Sequence, residues 1–343
     1  RLWMQGEQHG KTLSMNLTNK NIIVTGAGGF IGSHLTEALL GRARSVKAFV
    51  RYTSSGSIGL LSNLPKKILK DIEIVRGDIR DQEFVENVLT GMDLCFHLAS
   101  QISIPHSYIG IRETVDTNYY GTLNVLLAAN KLTVEKVLYA STSEVYGTAQ
   151  TSKISESHRL NAQSPYAATK IAAEKLVESF YASFNLSGVI VRPFNTFGPR
   201  QSTRAVIPAI ISQSLAGEKI ELGALEPSRD FTYISDTVEG LIAAANSSGL
   251  DGQIFNLGFG QDISIGSLVD KISSIIGKKL EIQTKSHLIR PKGGEVMRLC
   301  SDNSLIASQT NWQPKVPLYE GLAMTIDWFR ENSAGNAVSR TFR

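Results

Sequence analysis

The sequence predicts an α/β protein: a doubly wound parallel sheet with a smaller C-terminal α/β lobe. Three observations carry this. From Asn21 to Arg192, short apolar runs rich in β-branched residues alternate with stretches of helical period. The runs are apolar on both faces, as strands are when helices cover a sheet from both sides. After Gly198 the texture shifts to Pro, Gly and short mixed elements.

The runs are NIIVT (21–25), SVKAFV (45–50), DIEIV (71–75), DLCFHLA (93–99), EKVLYAS (135–141) and SGVIVRP (187–193). In such a sheet, ligands bind beyond the carboxyl ends of the strands, so the residues that close each run are the functional candidates. Two long helices are predicted, Ile111 to Leu132 and Pro165 to Phe184, the second opened by Ser164 as a cap and Pro165 in the first turn. Val125, Leu126, Ala128 and Ala129 in one, and Ala172, Ala173, Leu176 and Val177 in the other, exceed what one-sided packing needs. They predict either dense packing on the sheet or, in addition, a homodimer seam through a four-helix bundle. Further elements are a strand near Gln253 to Leu257, a helix from Ser264, a strand near Leu280 to Gln283 and a closing helix from Leu318 to Arg330.

The resulting division is a dinucleotide-binding unit at 20–198 and, at 199–330, mainly a substrate lobe that can exchange elements with it. Residues 1–19 read as an extension, with Met4 or Met15 as candidate natural starts, and 331–343 as a polar, fraying tail. The 42% hydrophobic and 19% charged composition suits a soluble globular chain, and no apolar run nears the roughly 18 residues needed to span a membrane. The net charge of +4 is scattered, which fits an anionic small molecule and gives no basic arm for nucleic acid. Cys95 and Cys300 lie in separate apolar segments, which argues for a reducing, cytoplasmic setting without disulfides. No histidines pair at a metal-ligand spacing, so no metal is expected, and His34, His97 and His106 read as structural.

The first strand leads into Gly26, Gly29 and Gly32 and then a helix. Glycines at this spacing permit positive φ and close approach of the backbone to a pyrophosphate, which the helix N-terminus then attracts. The second strand ends at Arg51 among hydroxyls, without the carboxylate that binds the ribose of NAD. A guanidinium there pairs with a 2′-phosphate, which favours NADP over NAD, although Arg51 also suits a solvated charge stacked on adenine. Asp78 and Ile79 close the third strand, where Asp78 serves either the adenine amino group or a helix cap.

Tyr166 and Lys170 stand four apart on one helical face, and an ammonium beside a phenol lowers the cost of the phenolate. The fifth strand ends in the hydroxyl cluster Ser141, Thr142 and Ser143, followed by Glu144. With TGAGGFIGSHL, GDIRD, FHLAS, DTNYYGTLNVL, STSEVYG, SPYAATK, RPFNTFGPR, RDFTYISD and FNLG in order, the chain resembles the extended short-chain dehydrogenase/reductases of the nucleotide-sugar epimerase and dehydratase branch. It is most similar there to 4,6-dehydratases of the legionaminic-acid type, which act on GDP-N-acetylglucosamine.

That resemblance implies a Rossmann-like fold, tightly bound NAD(P) and a nucleoside-diphosphate sugar as substrate. It implies Tyr166 as the base for the 4-hydroxyl, Lys170 on the nicotinamide ribose, Thr142 bonded to the reacting oxygen and Glu144 as the base at C5. Ser143 stands where the dTDP-glucose dehydratases carry an Asp acid, and this keeps a UDP-glucuronate decarboxylase or a 4-epimerase of the same fold as alternatives. A non-catalytic dinucleotide sensor would usually lack Tyr166 or Lys170. Cofactor neighbours implied by position are Phe30, Ile31, Leu98, Ala99, Ser100 and Pro193. On the substrate side they are Asn195, Arg200, Arg204, Val206, Arg229, Arg290 and Glu295, with arginines for the diphosphate and Glu295 for the nucleotide ribose.

Overall fold

The computed structural model describes residues 16–289 and 293–333. Six strands alternate with helices as expected: β1 (Asn21–Thr25), β2 (Ser45–Arg51), β3 (Ile72–Gly77), β4 (Leu94–His97), β5 (Lys136–Ala140) and β6 (Gly188–Pro193). A short β7 (Asn195–Phe197) follows, then β8 (Lys219–Leu222), β9 (Ser228–Tyr233), β10 (Ile254–Leu257), β11 (Asp262–Ser264), β12 (Glu281–Thr284) and β13 (Arg298–Leu299). The main helices are α1 (Phe30–Leu39), α2 (Gly121–Lys131), α3 (Pro165–Phe184), α4 (Val206–Ala216), α5 (Ile234–Asn246), α6 (Ile265–Ile276) and α7 (Leu318–Ser333).

The large sheet has the order β3-β2-β1-β4-β5-β6-β10, with every pair parallel. Its strands are apolar on both faces because both are covered: Ile22 and Val24 of β1 enter one core and Ile23 the other. β10 belongs to this sheet rather than to the small lobe, and α5 packs beneath β5 and β6, so the chain returns to its first unit after residue 199. What lies over the carboxyl edge is a mixed sheet, in which β9 pairs with β7, β11 and β13, and a separate β8–β12 pair.

The predicted helix from Ile111 to Leu132 is interrupted: Ile111–Val115 is α-helical, Asp116–Tyr120 forms a π turn, and α2 follows. Wider turns of this kind concentrate at functional sites. Val125, Leu126, Ala128 and Ala129 are all spent on the sheet, as are Ala173 and Val177 of α3. The apolar surface left outside consists of Ile111, Tyr120 and Leu127 on one helical run and Tyr181 and Phe184 on the other. Trp312 is core, donating its indole N–H to the Asp236 carbonyl at 3.0 Å, while the Asp236 carboxylate braces the Lys315 and Val316 amides. No described helix is long and apolar enough to cross a membrane.

Candidate active site

β1 delivers the chain to Gly26 at φ +71°, where a β-carbon would lie 2.7 Å from the Ala99 nitrogen, just beyond β4. At Gly32 a β-carbon would lie 2.2 Å from the Gly26 carbonyl oxygen, so loop and helix meet only as glycines. No side chain caps α1, whose N-cap is Gly29, and this leaves its first N–H groups to an anion at the Phe30–Ile31–Gly32 turn. A cradle of backbone donors without side chains fits a dinucleotide pyrophosphate. The segment after β2 closes over it: Leu60 donates to the Gly28 carbonyl at 2.9 Å, and Gly59, at φ +63°, has no room for a side chain.

At the adjacent strand ends the candidates meet protein partners. Arg51 is largely exposed and lies 3.5 Å from Glu113, which also holds His106 at 3.1 Å. The Asp78 carboxylate is gripped by Arg80, Nε to Oδ1 at 2.9 Å, and that bond holds it below the usual carboxylate range. The helix cap is Asp81, which accepts from the Phe84 amide at 3.0 Å, and not Asp78. Ile79 is buried, and its carbonyl accepts from Asn124. Leu98 and Ala99 donate to Thr25, joining the ends of β4 and β1.

Asn118, on the π turn, was not singled out by the sequence reading. Its side-chain oxygen accepts from Ser100 Oγ at 2.9 Å and the Gln101 amide at 2.7 Å, while its nitrogen donates to Thr169 Oγ1 at 2.9 Å. It thereby ties the loop after β4 to the residue beside Lys170. The only signal was an amide inside an otherwise helical pattern.

At the end of β5 the hydroxyls divide their work. Ser141 donates to Glu174 of α3. Thr142 caps the turn Ser143–Tyr146 by accepting from the Glu144 amide at 3.2 Å, and its hydroxyl lies close enough to Tyr166 to act on the phenol. Ser143 and Glu144 are buried in that turn. Burial holds the Tyr166 phenol well above its usual range; the Thr142 hydroxyl pulls it down and the Glu144 charge pushes it up.

Lys170, expected beside the phenol and on the nicotinamide ribose, is buried. Its Nζ donates to the Ala140 carbonyl at 2.6 Å and sits 4.2 Å from the centre of the Tyr139 ring. Burial lowers this ammonium to about 7, while Glu174 acts to raise it.

Behind this layer Glu174 accepts two bonds from Arg192, which also donates to the Tyr146 hydroxyl at 2.8 Å. The sequence reading missed this pair, although an arginine inside the apolar run of β6 and a glutamate among the alanines of α3 were its traces. The buried histidine His97 is satisfied by Thr25 at 2.7 Å and Thr122 at 3.0 Å, and His34 bonds the Pro199 carbonyl at 2.9 Å.

On the substrate side, Pro193 ends β6 and Asn195 opens β7, with its amide oxygen buried and, among the described residues, unpaired. Arg229 and Glu295, predicted separately, are brought together at 3.2 Å. Arg200, at φ +67°, pairs with Glu37 of α1 at 2.6 Å, and one further guanidinium nitrogen is buried and, among the described residues, unpaired. Arg204 is exposed, and Val206 opens α4 half-buried against the core. Arg298 is held by Asp262 through two bonds of 2.8 Å. Arg290 lies outside the described residues.

Fold and site together define a dinucleotide-dependent enzyme of the extended short-chain dehydrogenase/reductase class. The family model described as GDP-mannose 4,6 dehydratase matches residues 23–325. The chain is 30% identical over 321 residues to the human (Homo sapiens) dTDP-D-glucose 4,6-dehydratase, covering 91% of each. It is 33% identical to the UDP-glucose 4-epimerase of Mycolicibacterium smegmatis, covering 91% of this chain and 99% of that one. The dTDP-glucose 4,6-dehydratase DesIV of Streptomyces venezuelae, solved with NAD bound, superposes with a TM-score of 0.84 at 28% identity, covering 92% of this chain and 98% of that one. The chain belongs to the GDP-mannose 4,6-dehydratase family of NAD(P)-dependent nucleotide-sugar enzymes, which its relatives show to include dehydratases and 4-epimerases.

Proposed function

We propose that this chain is a nucleotide-sugar 4,6-dehydratase. One observation carries the reading: a buried carboxylate, Glu144, shares the end of β5 with the hydroxyl–phenol pair Thr142 and Tyr166. An epimerase needs the pair alone, whereas elimination needs a second base.

In this reading Tyr166 takes the proton of the 4-hydroxyl, with Thr142 donating to the reacting oxygen and Lys170 holding the nicotinamide ribose. NAD(P), when bound, would supply the hydride acceptor for C4 and the hydride donor for C6. The C4 ketone acidifies C5, Glu144 removes that proton, and the C6 hydroxyl leaves as water. Ser143 is too weak an acid to protonate that leaving group well, so the proton comes from Glu144 or a water. After hydride returns to C6, a proton adds at C5, and the net change is loss of one water. Ser143 also favours the second reading, a UDP-glucuronate decarboxylase, in which the same C4 oxidation would precede loss of carbon dioxide.

Gly26, Gly29, Phe30, Ile31 and Gly32 would hold the pyrophosphate, with Leu98, Ala99, Ser100 and Pro193 along the nicotinamide half. Arg51 supports NADP over NAD, with Asp78 and Ile79 at the adenine. Asn195, whose amide oxygen is unpaired among the described residues, Arg229 and Glu295 are the substrate contacts best supported, and Arg200, Arg204, Val206 and Arg290 complete the set. The exposed Ile111, Tyr120, Leu127, Tyr181 and Phe184 support a homodimer through a four-helix bundle. Buried free cysteines suit the cytoplasm.

Incubation with GDP-, UDP- and dTDP-sugars, GDP-N-acetylglucosamine first, identifies the substrate by product mass. Under this reading Glu144→Gln lowers dehydration by about 100-fold or more; dehydration at the parent rate would remove Glu144 as the base.

A further inference from the structure

Gln163, three residues before Tyr166, sits at a junction that the reaction chemistry does not use. Its side-chain oxygen accepts from the Thr148 amide at 2.7 Å and the Thr148 hydroxyl at 3.2 Å. Its side-chain nitrogen donates to the Gly293 carbonyl at 3.2 Å and the Glu295 carbonyl at 3.1 Å. Flipping the amide would set its oxygen against two carbonyls, so these partners determine its orientation. One side chain thus joins three segments: the loop that follows Glu144, the start of α3 and the stretch that carries Glu295.

The surroundings are built around this amide. A β-carbon on Gly147, at φ +64°, would lie 2.6 Å from the Gln163 oxygen. The same two segments are joined again beside it, where Met297 donates to Thr148 Oγ1 at 3.1 Å and Ala149 to the Arg298 carbonyl at 3.1 Å. Val145, Tyr146, Val296 and Leu299 share a small core there. An open polar cleft, lined in part by Thr148, Asn161, Gln163 and Gly293, runs along the junction.

We infer that Gln163 is a positioning residue that couples occupancy of the nucleotide end, at Arg229 and Glu295, to the placement of Glu144 and Tyr166. The inference rests on the proposed nucleotide-sugar reading for the identity of what occupies that end. Without the amide, a nucleotide still binds its own contacts, but the sugar is held less well against the reacting side chains. The loss therefore falls on turnover rather than on binding.

The test compares the parent with Gln163→Leu, which removes all four bonds, and Gln163→Glu, which keeps the acceptor and loses the donor. For both, kcat falls about tenfold or more, while KM for the nucleotide sugar and the dissociation constant for NAD(P) stay within about threefold of the parent. A proportionate rise in KM with kcat unchanged, or no change in either, overturns the coupling. Hydrogen exchange provides a readout independent of turnover: UDP or GDP added to the parent protects the amides of Thr148 and Ala149, and in Gln163→Leu that protection is lost. Equal protection in both proteins also overturns it. If the parent turns over no nucleotide sugar yet shows this differential protection, the coupling stands and the proposed reaction falls.

Discussion

Arg192 and Glu174 form a two-bond ion pair, 2.6 and 2.9 Å long, at 1% and 0% exposure, directly behind the hydroxyl cluster that ends β5. Ser141 and Tyr146 complete it, so the turn bearing Thr142, Ser143 and Glu144 is anchored on both flanks by one buried pair. Removing one partner leaves an uncompensated charge. Arg192→Ala or Glu174→Ala should therefore destabilise the fold by about 3–5 kcal/mol, read from denaturant midpoints. A change under about 0.5 kcal/mol would mean that solvent reaches the pair.

The glycine cradle makes a separate prediction. Gly32→Ala drives a methyl group into the Gly26 carbonyl, and either the loop or α1 must shift. Calorimetric titration should show NAD(P) affinity falling by about tenfold or more. Parent-like affinity would place the dinucleotide elsewhere.

His97 predicts a pH dependence of stability. Burial holds its folded form down at about 3, with Lys170 contributing in the same direction, whereas an unfolded histidine titrates near 6.5. Between those values the unfolded chain binds a proton that the folded chain does not, so stability falls as pH drops, by up to about 1.4 kcal/mol per pH unit. His34, lowered to about 4, adds to this. Asp230, raised to about 6 by burial, opposes it between 6 and 3.8, because there the folded state binds the extra proton. Denaturation at pH 6.5 and 5 should show a smaller loss for His97→Gln than for the parent. An equal loss would mean that His97 is protonated in the fold.

The arrangement of the large sheet was legible because a strand buried on both faces writes an unbroken apolar run, and each of the six runs became a strand. The membership of β10 was not legible, since Ile254–Leu257 looks alike whether it joins β6 or a small lobe. Local spacing pointed to Tyr166 and Lys170, and the family resemblance to Thr142, but neither gave their mutual contacts. The Lys170 ammonium goes to a carbonyl and an aromatic ring, and this depends on where β5 meets α3. Arg200 shows the same limit: its partner Glu37 is 163 residues away in sequence.

The central claim is that C4 oxidation leads to elimination across C5–C6. The most direct test is to convert the nucleotide sugar in heavy water and measure product mass and label position. Dehydration predicts a 4-keto product lighter by one water, with a single solvent-derived deuterium at C5. A product lighter by carbon dioxide, or an isomer of unchanged mass, would contradict it.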